Sequence, residues 1–463
     1  MDAAFPLPLS AYPPVTAAGL LPALLERIAM DPFNAVATAI FVLAVLHTFV
    51  AARFARLAHE RQERSDEVER RAGRPCLPDP WAEVLHFFGE VEVVFGLWAV
   101  VLIVVATLFH GWTEVVHYVN DSVVYTEPLF VVVIMAMAAS RPVIVLAESA
   151  LGRVASLGGR TPVAWWAAIL TVGPLLGSFI TEPAAMTICA MLLSRQFYDL
   201  EPSNGLKYAT LGLLFVNVSI GGTLTHFAAP PVLMVAAKWQ WDTPFMITHF
   251  GWKAAVAVFV NAVVLTWLFR RELITKGNTD EHTGRAPMPL AMAGIHLAFL
   301  FGVVLFAHHP VVFMGLFLFF LGFTQAYKTH QDPLILREGL LVAFFLAGLV
   351  VLGGMQQWWL QHALVGVEPT VLYFLATALT AITDNAALTY LASLVDGVSP
   401  EFKYAIVAGA VTGGGLTFIA NAPNPAGVAI LKSSFDDESI SPMGLFLAAL
   451  PPTCVAIFAF QVL

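Results

Sequence analysis

Two short segments with related sequences contain acidic and hydroxyl side chains that could bind an ion. Residues 180–187 read ITEPAAMT and residues 382–389 read ITDNAALT, and in each an acid directly follows a threonine. The predicted ion or substrate ligands in these segments are Thr181, Glu182, Thr383, Asp384 and Asn385. An acid at such a position could also cap a helix. An ionisable group within apolar sequence is costly and usually functional, which favours ion binding.

A second pair of related segments follows downstream, GGTLT at 221–225 and GGGLT at 413–417. Consecutive glycines interrupt a helix readily and free backbone carbonyl oxygens, and hard cations such as Na⁺ bind oxygen atoms. The predicted broken-helix glycines are Gly221, Gly222, Gly413, Gly414 and Gly415, and the predicted ligands beside them are Thr223, Thr225, Thr417, Asn421 and Asn424. Close packing of small residues is the alternative. Together with the two acids, these segments predict an ion site.

Further polar residues in apolar segments form a candidate proton relay, which comprises His226, Glu90, Glu92, Arg141 and Glu148. His226 directly follows GGTLT, and a histidine can titrate near neutral pH. Neutral hydrogen bonding by this histidine is an equally good hypothesis. For the three acids and the arginine, mutual pairing within a packed scaffold is the simplest role, and a proton path is the alternative.

The elements that must position these residues are apolar segments long enough to cross a membrane. The chain has 463 residues, of which 58% are hydrophobic and 12% charged, and its mean hydropathy is +0.77. A soluble domain carries about 25% charged residues, and a membrane-spanning helix needs about 20 apolar residues. The sequence therefore predicts an all-α polytopic membrane protein. Its predicted spans lie near 34–52, 84–109, 127–150, 207–236, 244–269, 288–307, 311–327, 335–356, 403–431 and 442–461.

Two further apolar segments, 162–197 and 369–396, are interrupted at their acidic motifs. We predict that each is a re-entrant helical hairpin with the interruption at its tip, where protein or an aqueous cavity must cover the irregular backbone.

The motifs recur in the same order in both halves of the chain, including KYA at 207–209 and at 403–405. We predict two inverted repeats, each with five spanning helices, a re-entrant hairpin and one broken helix among the spans. This architecture is typical of secondary transporters. The predicted domains are an N-terminal interfacial segment (1–33), a first inverted repeat (34–270), a cytoplasmic linker (271–287) and a second inverted repeat (288–463).

The basic residues predict the orientation. With the spans above, the cytoplasmic side receives all of the 23 lysines and arginines except Arg27, Arg141, Lys238, Lys253 and Lys403. An excess of basic residues marks cytoplasmic loops. We therefore expect a multi-pass protein of the bacterial inner (plasma) membrane with both termini outside.

Enzyme motifs are missing from the sequence, which has no HExxH, no phosphate-binding loop and no nucleophile elbow. Its three cysteines, Cys76, Cys189 and Cys454, have neither disulfide nor metal-ligand spacing. We expect no enzymatic activity and no cofactor or metal other than transported Na⁺ and H⁺. The expected partners are membrane lipid and small inorganic cations, without nucleic acid.

At these motifs the sequence resembles the ion transporter superfamily, which includes dicarboxylate/sodium symporters and arsenite carriers. It looks most like a bacterial family of Na⁺/H⁺ antiporters, from about residue 34 to residue 461. The resemblance implies that the hairpin tips and broken spans form a mobile unit, which moves like an elevator within a homodimer. The neutral Ser-Asn-Thr-like tips of the carboxylate carriers are replaced here by tips that carry acids.

Two substrate hypotheses follow. A helix N-terminus would stabilise a bound anion by at most ~2 kcal/mol. An ionised acid ~5 Å from that anion would repel it by about 3 kcal/mol at an effective dielectric of ~20. We therefore favour cation/proton exchange, in which Asp384, assisted by Glu182, binds Na⁺ and H⁺ alternately. The alternative is a Na⁺- or H⁺-coupled carrier of a small anion, either a dicarboxylate or an oxyanion.

Overall fold

The computed structural model describes residues 5–12, 19–275, 288–435 and 439–463, which form helices joined by turns, with no strand among them. In chain order the first α-helices are α1 (Leu20–Met30), α2 (Phe33–Arg71), α3 (Pro80–Gly89), α4 (Val91–His110), α5 (Trp112–His117), α6 (Thr126–Ala138), α7 (Arg141–Leu157), α8 (Pro162–Ile180), α9 (Glu182–Gln196), α10 (Asn204–Gly221), α11 (Pro230–Trp239) and α12 (Thr243–Met246). They are followed by α13 (Trp252–Leu268), α14 (Arg270–Thr275), α15 (Leu290–Leu305), α16 (Pro310–Ala326), α17 (Leu336–Gly353), α18 (Gln357–Leu364), α19 (Pro369–Thr380), α20 (Asn385–Ser393), α21 (Pro400–Gly413), α22 (Asn424–Leu431) and α23 (Pro442–Val462).

Local sequence explains where many of these helices begin. A side-chain oxygen accepts a hydrogen bond from a first-turn backbone N–H at Asp79, Thr161, Ser203, Asp242, Glu368, Ser399 and Ser441. Such caps satisfy donors that have no partner within the helix. Most of these caps are followed by a proline in the first turn of the helix. A missing N–H is tolerated there because first-turn N–H groups have no partner within the helix.

Six helical segments of the described chain are long and apolar enough to cross a membrane: Phe33–Arg71, Val91–His110, Pro162–Ile180, Thr243–Leu268, Leu336–Leu364 and Pro442–Val462. The bent pair Trp112–Ser122 and Thr126–Ala138 would make a seventh. The predicted all-α membrane protein is confirmed at this level.

Three predicted spans have different boundaries in the structure. The span near 34–52 belongs to the 39-residue helix α2, which continues far beyond the apolar part. The span near 84–109 is two helices, α3 and α4, separated at Glu90, and the span near 127–150 is also two, α6 and α7. Average hydropathy does not resolve the two breaks, because Glu90 and Arg141 each lie within a longer apolar stretch.

The chain divides into two compact units. The first comprises the described residues up to Pro128, Leu340–Val365 and Leu394–Asp396. Within it α2 packs against α3 and α4, and Arg61 of α2 donates a hydrogen bond to Asp79, the cap of α3, at 2.8 Å. That hydrogen bond, together with the capped N–H groups, holds the pKa of the Asp79 carboxyl below its usual range.

The second unit comprises Leu129–Gly339, Gly366–Ser393 and Gly397–Leu463. Its packing pairs α8 with α9, α10 with α8 and α23, α19 with α21, α11 with α20, and α22 with α9. All the predicted ligands and broken-helix glycines lie in this unit. The two units are discontinuous in sequence and cut across the predicted repeats. Parts of the predicted segments 1–33 and 271–287 lie outside the described residues.

Candidate ion-binding site

The tip of the first predicted hairpin is a single residue. α8 ends at Ile180, α9 begins at Glu182, and Thr181 between them has φ 72° and ψ 151°. A β-branched residue rarely adopts positive φ, and such a conformation costs about 1–3 kcal/mol. Contacts with the surrounding residues therefore have to stabilise this conformation of Thr181. The turn at Thr181 makes Glu182 the first residue of α9.

Ser178 fastens this tip to the break after α10. Its hydroxyl donates to the Gly221 carbonyl at 2.7 Å and accepts from the Leu224 N–H at 2.9 Å. The Thr225 hydroxyl donates back to the Ser178 carbonyl at 2.6 Å. The predicted break in the span 207–236 is present, since regular α-helix ends at Gly221 and resumes at Pro230.

Glu182 is completely buried. Its Oε2 atom accepts a hydrogen bond from Asn421 Nδ2 at 2.8 Å, whereas Oε1 has no hydrogen-bond partner among the described residues. Gly222 lies directly against this carboxylate, because a Cβ added at Gly222 would overlap Oε1 and lie 2.6 Å from Cγ. The glycine is therefore required by the close approach of the acid.

The second tip is longer. α19 ends at Thr380 and α20 begins at Asn385. Asp384 Oδ1 accepts from the N–H groups of Ala386 at 2.9 Å and Ala387 at 3.1 Å, so this partly exposed acid caps α20. Asn385 is completely buried, and neither polar atom of its side chain has a hydrogen-bond partner in the described chain.

Matching contacts relate the two tips to the two broken spans. The Glu182 N–H donates to Ala228 O at 3.5 Å, and the Asn385 N–H donates to Ala420 O at 3.1 Å. Both acceptors lie six residues after the glycine that directly follows the α-helix, since Ala228 follows Gly222 and Ala420 follows Gly414 by the same interval.

Two further contacts repeat this relation. As Gly222 lies against Glu182, Gly414 lies against Asn385, with an added Cβ 2.9 Å from Asn385 Nδ2. As Thr225 donates to Ser178 O, Thr417 donates to Ala381 O at 2.8 Å. The sequence alignment pairs Glu182 with Asp384, but the structural counterpart of Glu182 is Asn385. Asp384 instead occupies the cap position that Thr181 has in the first tip.

Several buried oxygen atoms around the tips have no hydrogen-bond partner in the described chain: Thr181 Oγ1, Glu182 Oε1, Thr380 Oγ1, Asn385 Oδ1, Asn421 Oδ1 and Asn424 Oδ1. Buried polar atoms are normally hydrogen-bonded, so a group of this kind needs an explanation. Neutral oxygens together with one carboxylate are the ligands of a hard cation.

The other predicted hydroxyl ligands bind backbone. Thr223, Thr225, Thr383 and Thr417 each donate to a carbonyl oxygen, at 2.6–2.9 Å. Asn424 braces the second break, because its Nδ2 donates to Gly414 O and Thr417 O, both at 2.8 Å. All five residues therefore shape the site, and the hydroxyl hydrogens of the four threonines are already in hydrogen bonds to the backbone.

The helix starts next to the tips offer few free N–H donors. The first turns of α9, α11 and α22 contain proline, at Pro183, Pro230, Pro231 and Pro425. The N–H groups of Glu182, Asn385 and Asn424 donate to backbone carbonyls, and Asp384 caps the next two at α20. An anion bound at a helix N-terminus needs free N–H donors, so this arrangement suits a cation better.

The candidate proton-relay residues are divided between the two compact units. Glu90 and Glu92 belong to the first compact unit, at the start of α4, and Glu90 lies 3.4 Å from His86. In the second unit Arg141 begins α7 and lies 3.7 Å from Asp332, and Glu148 is in the same helix.

His226 is the relay residue that lies in a broken span, in the linker that joins α10 to α11. It is half-buried, and its Nδ1 lies 2.9 Å from the Thr243 hydroxyl.

Three residues of this region are absent from the predictions made from the sequence. Ser178 and Thr380 lie about one helical turn before the first helical residue of α9 and α20, and both are completely buried. Ser219 of α10 donates to Val411 O of α21 at 2.7 Å and so joins the two broken spans. A search for small polar residues one turn before each tip would have found the first two.

The family of the chain is shown by comparison with known proteins. No curated protein matches the chain. A family model matches residues 32–463, nearly the whole sequence, and its description is "Putative Na+/H+ antiporter". The chain therefore belongs to this family of membrane transport proteins.

Proposed function

We propose that the protein exchanges Na⁺ for a proton across the membrane, and that Glu182 is the carboxylate to which either one binds. The observation that supports this proposal is the complete burial of Glu182, with one carboxylate oxygen unpartnered and several neutral oxygens nearby that have no partners either. The family of the chain points in the same direction.

The proposal reverses the roles that the sequence suggested for the two acids. Asp384 uses one oxygen to cap α20, a structural task that also places its charge at the positive end of the helix dipole. Glu182 has no such task. The two carboxylates remain close enough to interact electrostatically, so Asp384 contributes to the negative potential of the site.

Competition for one carboxylate produces exchange. With Na⁺ or H⁺ bound, Glu182 and its ligand are neutral together, whereas the empty form carries a charge that is expensive within the membrane. Only the occupied forms then change their access from one side to the other, and each cation that leaves must be replaced by the competing one.

The alternative of a coupled anion carrier has less support. Most first-turn N–H groups that an anion would need are absent or already bonded. Glu182 would also repel an anion there.

The wider mechanism is part of the proposal. We propose inverted repeats whose re-entrant hairpins and broken spans move together like an elevator, in a homodimer of the bacterial inner membrane. The recurring contacts of the tips with the broken spans support the repeat, and the presence of the whole site in one compact unit supports a common motion.

The test is Na⁺-driven proton exchange in proteoliposomes that contain a pH-sensitive dye. Wild-type protein is expected to exchange, and Glu182→Gln to lower the rate at least about tenfold. Glutamine keeps an oxygen that accepts the hydrogen bond from Asn421 but has no negative charge to bind the cation. The tenfold figure follows because the lost interaction with a charged group is worth at least ~1.5 kcal/mol.

Asp384→Asn is the discriminating partner variant. Asparagine caps a helix about as well as aspartate, so exchange is expected to stay within a few-fold of wild type. Loss of exchange in Asp384→Asn together with full exchange in Glu182→Gln would reverse the assignment, and absence of Na⁺-driven exchange in wild type would refute the function.

A further inference from the structure

The two hairpin tips place different groups at structurally equivalent positions. Glu182 and Asn385 each begin the second helix of a hairpin, lie against a glycine of the broken span and donate their backbone N–H to the linker beyond it. Both are completely buried. One is an acid and the other is its neutral counterpart.

The same linker connects these two residues. Ala420 accepts from the Asn385 backbone, and the next residue, Asn421, donates to the Glu182 carboxylate. Asn385, Asn421 and Glu182 each have a buried oxygen without a hydrogen-bond partner among the described residues. Ala420 and Asn421 are consecutive, so the unpartnered oxygens of Asn385 and Glu182 flank one short segment and can face the same ion.

Among the buried candidate ligands, only Glu182 carries a formal charge. Asn385, Asn421, Asn424 and Thr181 are neutral, and Asp384 faces the start of its own helix. One carboxylate balances one monovalent cation, whereas a divalent cation would leave an uncompensated charge in a buried site, which is costly. Ligand charge also sets the affinity of oxygen sites for divalent cations.

We infer that Asn385 determines the valence of the transported cation, because its neutral amide restricts the site to monovalent ions. This inference rests on the proposed function of the Glu182 site. Aspartate has nearly the same shape as asparagine, so Asn385→Asp adds a charge with little change in volume and creates a site for a divalent cation such as Ca²⁺.

The experiment measures Na⁺ and Ca²⁺ affinities of the purified full-length protein by ligand-induced thermal stabilisation. Asn385→Asp is expected to raise the affinity for Ca²⁺ relative to Na⁺ at least about tenfold. Asn204→Asp, which adds the same charge at the exposed start of α10, is expected to leave the ratio unchanged. An unchanged ratio in folded Asn385→Asp protein would overturn the inference.

A second variant keeps the test decisive if the additional buried charge prevents folding. Glu182→Gln/Asn385→Asp has one acid, moved to the equivalent position, and is expected to recover the Na⁺ binding that Glu182→Gln loses, with a wild-type preference over Ca²⁺. Failure to recover Na⁺ binding would refute the equivalence of the two positions. If wild-type protein binds Na⁺ and exchanges it, such a failure concerns Asn385 alone. If wild type does neither, the proposed function itself is wrong.

Discussion

Thr181 and Asp384 illustrate how much the role of a residue depends on one position. Both are the cap residues of the second hairpin helices, but Thr181 has φ 72° and no side-chain capping bond, whereas Asp384 caps with its carboxylate. The residue after each cap is completely buried, and this residue is an acid only in the first tip. The acid that the sequence favoured is the partly exposed one.

The carboxylate position of Glu182 depends on the absence of a side chain at Gly222. Gly222→Ala is expected to displace the carboxylate and lower Na⁺ affinity at least about tenfold, because the added Cβ would overlap Oε1 and the lost interaction is one with a charged group. The measurement is Na⁺ binding by purified protein.

Gly205→Ala is the matched control for this prediction. Gly205 lies at the start of α10, the helix that ends directly before Gly222, and a Cβ there meets no atom within 4 Å, so Na⁺ affinity is expected to remain that of wild type. Equal affinities of the two variants would show that Glu182 does not bind the ion in the observed position.

At the scale of elements, hydrogen bonds from the tips hold the broken spans in place. Ser178→Ala removes a hydroxyl with two backbone partners, Gly221 O and Leu224 N, in a completely buried setting. Unsatisfied buried partners cost roughly 1–3 kcal/mol. We expect a melting temperature lower by a few degrees and weaker Na⁺ binding, both measured on purified protein.

Ser149→Ala provides the comparison for Ser178→Ala. The Ser149 hydroxyl is exposed and donates to the Val145 carbonyl within its own helix, so its loss is expected to change neither quantity appreciably. If Ser178→Ala lowers the melting temperature but leaves Na⁺ affinity unchanged, the hydrogen bonds of the Ser178 hydroxyl do not position the ion ligands.

At the scale of the whole molecule, the native cysteines report the predicted orientation. Cys76 is exposed, in the connection between α2 and α3, whereas Cys189 is buried. In a Cys454→Ser background, a membrane-impermeant maleimide is expected to label Cys76 in inside-out vesicles and not in intact spheroplasts, because the surrounding arginines mark the cytoplasmic side.

An additional Cys76→Ser substitution is expected to abolish the labelling, which would identify Cys76 as the labelled residue. Labelling in intact spheroplasts alone would reverse the orientation of the entire chain, since every later span follows from the first.

Some properties of the protein follow from sequence because they depend on composition or on linear order. Apolar content predicted a helical membrane protein, the motifs predicted the polar tips and the breaks at Gly221 and Gly413, and the resemblance predicted the family. The breaks at Glu90 and between α6 and α7 lie within longer apolar stretches, so average hydropathy did not indicate them.

The tertiary structure alone decided which residues meet. The letters of ITEP and ITDN align acid with acid, but the first tip turns at Thr181 alone while the second unwinds over four residues, Ala381–Asp384, so the structural register shifts by one residue. That shift makes Asn385 the counterpart of Glu182 and leaves one central carboxylate. The compact units likewise combine segments far apart in sequence, because packing depends on which surfaces fit together and not on the order of the chain.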